Sequence, residues 1–223
     1  MKPEERENLR YLAHAENPID IEETVMFSLL PKSNGGTLLD VGCGVGTISL
    51  ELQKRGFEVN GIDFSSVAVE KAKEKGINAI ECDVDKVGIP FGDSYFDVVW
   101  AGDIAEHVFD PIFLLSEMAR VVKPTGKVLL TVPNAMNLIK RTYTFITGKS
   151  PQSGAYRRLG QCKHHTLFSL ELLEYMLNKA GLSRYHIRFI VRFPISNRKR
   201  RTKSKILGTL FGTVFIVETG KGY

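Results

Sequence analysis

Cysteine is scarce in this 223-residue chain: there are three, Cys43, Cys82 and Cys162, an odd number at spacings that fit neither a disulfide framework nor a metal-ligand pair. Long apolar runs are missing too. No stretch approaches the ~20 residues that a helix needs to cross a bilayer, and residues 1–16 are polar and charged where an export signal would carry an apolar core. These absences argue against a stapled secreted domain and an integral membrane protein, and the expected location is the cytoplasm. Internal repeats and low-complexity linkers are also lacking. A single domain over 1–223 is therefore expected, a length sufficient for one α/β core.

Acidic residues are nearly missing from one part of the chain. Residues 131–223 hold 17 Lys and Arg against 3 Asp and Glu, whereas residues 1–130 hold 13 against 22. The modest net charge of +5 thus divides into −9 and +14. So basic a segment points to an anionic partner.

What is present is a strand–helix alternation. Short apolar runs at 37–41, 58–63, 78–84, 96–101 and 126–132 read as strands, with helices at 47–54, 65–76 and 110–122 between them. Gly56 and Gly76 stop the first two helices, and Asp110-Pro111 opens the third. A helix at 18–30 precedes this unit. A polar, irregular region (135–163), a helix at 169–180 and strands at 185–193 and 212–219 follow it. The expectation is an α/β fold with a seven-stranded, mostly parallel sheet, helices on both faces, and an antiparallel pair at one edge. Residues 1–134 would form a cofactor-binding half and 135–223 an acceptor-binding half.

The first strand runs into Asp40-Val41-Gly42-Cys43-Gly44-Val45-Gly46 and then a helix. Glycines there permit a sharp turn and close approach of a ligand to the backbone, and the helix start offers free N–H groups. Asp63 ends the second strand, where a carboxylate can accept hydrogen bonds from vicinal ribose hydroxyls. Asp83 ends the third, where it can help read an adenine edge, and Asp40 places negative charge where a ligand ammonium could sit. The spacing G-x-G-x-G differs from the dinucleotide fingerprint G-x-G-x-x-G, which disfavours a nicotinamide oxidoreductase.

The segment from Leu39 to Gly46 resembles the first motif of class I S-adenosylmethionine-dependent methyltransferases. Gly61-Ile-Asp-Phe-Ser65, Cys82-Asp-Val84, Ile89-Pro-Phe91 with Phe96-Asp97, and Arg120-Val-Val-Lys-Pro-Thr-Gly-Lys127 continue the likeness in the family's order over 37–134, most closely to its ubiquinone-pathway O-methyltransferase branch. The resemblance implies a Rossmann-like fold and S-adenosylmethionine as cofactor. It implies that Asp63 holds the ribose, Asp83 with Val84 the adenine, Phe64 the adenine face, and Ala101 with Gly42, Cys43, Gly44 and Gly46 the methionine portion.

The donor in such a reaction is already activated, so positioning is the protein's main task and a base is needed only where the acceptor must lose a proton. Asp103-Ile-Ala-Glu106-His107 follows the fourth strand, at the carboxyl edge where open α/β sheets bind ligands. His107 is a candidate base or orienting donor, and of the pair His164-His165 the second is the expected partner. Asp103, Glu106, His107 and His165 would also make an oxygen-and-nitrogen set for a divalent ion, as the resemblance implies for some relatives.

The acceptor segment carries Lys140, Arg141, Lys149, Arg157, Arg158, Lys163 and six Lys/Arg within 198–205. An anionic acceptor follows, small or lipid-linked. Nucleic acid is less favoured because few aromatics interleave the cations. A basic run leading into apolar residues suggests a membrane-surface contact over 198–210. The competing reading is a cofactor-binding protein without catalysis that recruits an anionic partner.

Overall fold

The computed structural model describes residue 8 and residues 19–30, 32–149, 164–192 and 199–221, with the side chains of 192, 199 and 200 excepted. Cys162, Arg157, Arg158, Lys163 and Arg198 lie outside the described residues.

Helix α1 (Ile21–Phe27) starts at a capping box. Asp20 accepts from the first turn, and the Glu23 carboxylate accepts from the Asp20 N–H. Then come β1 (Thr37–Val41), α2 (Thr47–Lys54), β2 (Glu58–Asp63), α3 (Ser66–Glu74), β3 (Asn78–Glu81), α4 (Val84–Val87) and β4 (Phe96–Gly102). Helix α5 (Pro111–Val121) leads directly into β5 (Val122–Pro133). The chain continues with α6 (Leu138–Thr147), α7 (Leu170–Lys179), β6 (Arg184–Arg192), β7 (Lys199–Thr202), α8 (Lys205–Phe211) and β8 (Gly212–Gly220). Side-chain oxygens cap most of these helices: Ser65 accepts from Ala68, Asp110 from Phe113 behind Pro111, Asn137 from Lys140, Ser169 from Leu172 and Ser204 from Leu207.

The strands form one sheet in the order β3-β2-β1-β4-β5-β8-β6-β7. The first five are parallel, and β8, β6 and β7 add antiparallel ladders. Among the described residues the sheet has eight strands where seven are expected from sequence. The extra one, β7, lies within the basic run and pairs Arg201 opposite Ile190 at the sheet's edge. The third strand ends at Glu81 rather than continuing to 84, because Asp83 begins the short α4. Part of the irregular region is helix α6.

Alternation along each strand builds a core on either face. Leu39, Val41, Val99, Ala101, Val128, Leu130, Phe215 and Val217 point to the face covered by α5 and α7. Leu38, Val98, Trp100, Leu129, Ile190 and Ile216 point to the other, where Met26, Phe27 and Leu52 cover them. Arg120 of α5 fastens the loop before β4: it donates to the Ile89 and Phe91 carbonyls and to Asp93, and pairs with Glu117. The arginine and the Ile89-Pro-Phe91 motif are thereby partners in the scaffold. Among the described residues no helix is long and apolar enough to cross a membrane.

Candidate active site

The glycine loop is held by its own hydrogen bonds to the end of β2. The N–H groups of Gly42 and Cys43 donate to the Ile62 carbonyl, and that of Gly44 donates to Asp63 Oδ2 at 2.9 Å. Gly42, Gly44 and Gly46 all take left-handed φ values, and Gly46 is the N-cap of α2. A Cβ on Gly42 would stand 3.1 Å from Ile104, so the loop after β1 and the loop after β4 meet at this glycine. The Thr47 hydroxyl, in the first turn of α2, is buried without a hydrogen-bond partner. That orphan donor, beside an N-terminus carrying unused N–H groups, suits a polar ligand.

Asp63 is buried, with Oδ1 accepting from the Ser65 N–H at 2.9 Å and Oδ2 from Gly44. A carboxylate has about four acceptor positions, the chemistry that two ribose hydroxyls call for. Ser65 donates to the Asn8 carbonyl oxygen and Asn8 donates to Ser66 at 3.3 Å, which brings a residue from the start of the chain to the same corner. Asp40 is buried beneath the loop and accepts from Ser49 at 2.6 Å. Burial pushes its carboxyl up to about 7, so a cationic ligand group nearby would draw it back to the charged form. Asp83 and Val84 are half-buried at the start of α4, with Asp83 paired to Lys86 at 2.7 Å, and Phe64 is half-buried beside Asp63. Ala101 is in the core.

Cys43 turns its side chain away from the loop's open side. It packs with Val69, Ala72, Ile77 and Ala79, and a Cβ on Gly61 would come within 2.7 Å of its sulfur. Only its backbone faces the ligand question.

Beyond Ile104 the chain makes a tight turn, with the His107 N–H donating to the Ile104 carbonyl. It begins at Asp103, which has a left-handed φ of 49° and is tied to Thr131 by reciprocal bonds of 2.9 and 3.0 Å. Asp85 anchors the far end by accepting from the N–H groups of Phe109 and Asp110. Glu106 is buried (2% exposed), and its backbone carbonyl accepts from the N–H groups of His165 and Thr166. That attachment sets the imidazole of His164 edge-to-face with His107, ring centroids 4.8 Å apart. His165 points elsewhere and its ring lies 4.3 Å from Phe109. The side chain that meets His107 is therefore His164 and not His165, the partner expected from sequence.

Ligating atoms of Glu106, His107 and His164 lie within 4.8 Å of one another, the one such set of three among the described residues. Donors about 2.1 Å from a common ion lie within roughly 4.2 Å of each other, so side chains would have to close in to hold one. Asp103 and His165 are not members of the set. As it stands the spacing suits proton handling better than ligation.

Glu106 Oε2 has no hydrogen-bond partner, and burial together with the Asp103 charge pushes its carboxyl from 4.5 to about 8. A folded-state pKa raised above the unfolded value gives stability that is complete below pH 4.5 and lost as pH rises through about 8. Asp40 adds to the same slope between 3.8 and about 7. We expect Glu106→Gln to flatten the fall of thermal stability between those limits and to gain roughly 3–5 kcal/mol on the wild type at alkaline pH. Parallel melting-temperature profiles for the two proteins would contradict it.

Residues 39–130, which run from β1 through most of β5, match the family model described as a methyltransferase domain. A 2-methyl-6-phytyl-1,4-hydroquinone methyltransferase from Synechocystis is 41% identical over 96 residues, 41% of this chain and 30% of that protein. A ubiquinone biosynthesis O-methyltransferase from Alkalilimnicola ehrlichii is 33% identical over 129 residues, 54% of this chain and 50% of that one. The chain thus spans half or less of the length of these relatives. Among solved structures, a protein from Thermotoga maritima described as a SAM-dependent methyltransferase, possible histamine N-methyltransferase, superposes with a TM-score of 0.68 at 20% identity. The superposition covers 95% of this chain and 89% of that one. The matched stretch carries the glycine loop, Asp63 and the loop after β4, and over it the chain is similar to methyltransferase domains.

Proposed function

We propose that the chain is an enzyme that transfers a methyl group to an oxygen of a small or lipid-linked, anionic acceptor bound beside His107 and His164. The observation that carries this reading is the imidazole pair at the carboxyl edge of β4, on the loop whose Ile104 abuts the glycine loop at Gly42. When bound, S-adenosylmethionine supplies a methyl group on a positively charged sulfur that leaves as a neutral thioether. The chain's residues do the rest. Asp63 fixes the ribose end, with Asp40, Gly42, Gly44 and Gly46 lining the approach to the methionine end and Asp83, Val84 and Phe64 the adenine end. His164 takes the acceptor's proton as its oxygen attacks, since burial and the Lys140 charge hold its pKa below the ordinary 6.5 and keep it neutral at pH 7. His107 orients the acceptor oxygen, and the buried Glu106 keeps water from that side.

The anionic acceptor is supported by the +14 balance of residues 131–223. The hydroquinone and ubiquinone relatives support a hydroxylated, lipid-linked ring. Buried, unpaired Cys43 and Cys82 support a reducing compartment such as the cytoplasm. The test is transfer of labelled methyl from S-adenosylmethionine to a panel of hydroquinones, phosphorylated alcohols and polar-headed lipids, with and without exhaustive chelation. The expected result is label on oxygen, strongest on anionic members and unchanged by chelation. Label only on nitrogen would overturn the oxygen assignment. Tight cofactor binding with no transfer to any member would favour a recruiting module instead.

A further inference from the structure

Helix α6 is inside-out. A surface helix ordinarily turns its apolar stripe to the core and its charges to water. Here the half-buried positions are Lys140 and Thr144, while Leu138, Ile139, Tyr143, Phe145 and Ile146 are exposed, Phe145 at 89% and Ile146 at 73%. Leu138 and Ile139 recur seven residues later as Phe145 and Ile146, so they form one stripe along a single side of the helix. The opposite side is occupied: Lys140 donates to the Asn134 carbonyl at 2.8 Å, and its charge is felt at His164.

Helix α8 packs beside α6 and repeats the arrangement. Its inner contact is Gly208, where a Cβ would overlap the Phe189 ring, and it turns Ile206 (74% exposed), Leu207 (51%) and Phe211 outward. Two neighbouring helices thus present large side chains where a monomeric surface would scatter them singly.

Charge says what this face meets. Exposed Arg141 and Lys149 belong to α6 and the turn after it, and exposed Lys203 and Lys205 precede and begin α8. No Asp or Glu occurs between residues 118 and 170 or between 175 and 217. In a two-fold dimer built on this face, like charges would meet like charges. A layer that is apolar beneath and negative at its surface complements it.

We propose that α6 and α8 together dock the protein on an anionic lipid bilayer, with α6 lying in the interfacial plane. Ten residues of helix reach only about 15 Å, so the mode is lateral and not spanning. The stripe over 138–146 carries the apolar contact and Ile206, Leu207 and Phe211 extend it. Within the 198–210 stretch expected from sequence to meet a membrane, residues 199–202 form strand β7 and α8 supplies the apolar side chains. The docking holds whichever atom is methylated.

The experiment is vesicle flotation of the full chain with phosphatidylcholine alone and with phosphatidylcholine mixed with phosphatidylglycerol. The wild type is expected to float with mixed vesicles, less so as salt rises. The double variant Phe145→Ser, Ile146→Ser should bind them on the order of tenfold or more weakly, with unaltered affinity for S-adenosylmethionine. Arg141→Gln with Lys149→Gln should lose the preference for the anionic lipid while keeping residual binding. A wild type that ignores mixed vesicles overturns the proposal, as does a serine variant that binds like wild type. A wild-type dimer that the serine variant dissolves, with no vesicle binding by either, assigns the face to a second copy.

Discussion

His107→Ala and His164→Ala are each expected to lower kcat by about 10²–10⁴-fold, the usual contribution of a positioned acid or base, with the affinity for S-adenosylmethionine unchanged. Neither ring belongs to the glycine loop, so the loss should fall on turnover. The two differ in their pH signature. His164 is held below its ordinary pKa by burial and by Lys140. Acting as a base it must be neutral, so the acid limb of the wild-type kcat/KM profile should lie below pH 6.5 and disappear in His164→Ala. His107→Ala should keep that limb at reduced amplitude. His165→Ala serves as the contrast. With its ring against Phe109 and its backbone bound to Glu106, it should change turnover by only a few fold. If His107→Ala and His164→Ala keep wild-type kcat on the best oxygen acceptor, the proton-handling assignment is wrong.

Asp63→Ala is expected to weaken S-adenosylmethionine binding by about 100-fold or more. Two effects combine. The carboxylate offers acceptor positions for the ribose, and charge-assisted hydrogen bonds contribute roughly 1.5–3 kcal/mol each. It also anchors the loop itself through the N–H groups of Gly44 and Ser65. Removing it strands two buried donors, at about 1–3 kcal/mol apiece, so the melting temperature should fall as well. Asp63→Asn keeps one acceptor oxygen and should land between the two. Titration calorimetry and a thermal melt separate the parts. Unchanged affinity in Asp63→Ala would remove the ribose assignment even if stability dropped.

The strand–helix alternation of residues 37–132 could be read from sequence because buried parallel strands are short apolar runs and each helix carries its own stop and start residues. Thr47–Lys54 and Glu58–Asp63 have the bounds expected of them. Elements beyond residue 133 were harder to read for identifiable reasons. Strand β7 is Lys-Arg-Arg-Thr, with no apolar alternation to announce it. It exists because the β6 edge supplies a ladder, and charges on an outermost strand suit that place. Helix α6 hid because its apolar side faces outward, so its pattern fits no core. Helix α8 hid because Gly208 and Gly212 break the apolar run that leads into the last strand.

The site divides in the same way. Asp40, Gly42, Gly44, Gly46 and Asp63 are tied to strand ends, and strand ends are fixed by the sheet. The choice between His164 and His165 depends on the hydrogen bonds that the Glu106 carbonyl makes to 165 and 166, a tertiary contact across some sixty residues of chain. Glu106 reads in sequence as one more acid on a loop. Only packing shows that it is buried, with one carboxylate oxygen lacking a partner.

The central claim is that the glycine loop and Asp63 form a site for S-adenosylmethionine and not for a dinucleotide. Calorimetric titration of the wild-type chain with S-adenosylmethionine, its demethylated product and NAD tests it directly. The account predicts one site for the first two, with micromolar or tighter dissociation constants, and no saturable heat with NAD. No binding of either sulfur compound, or equal binding of NAD, would contradict it.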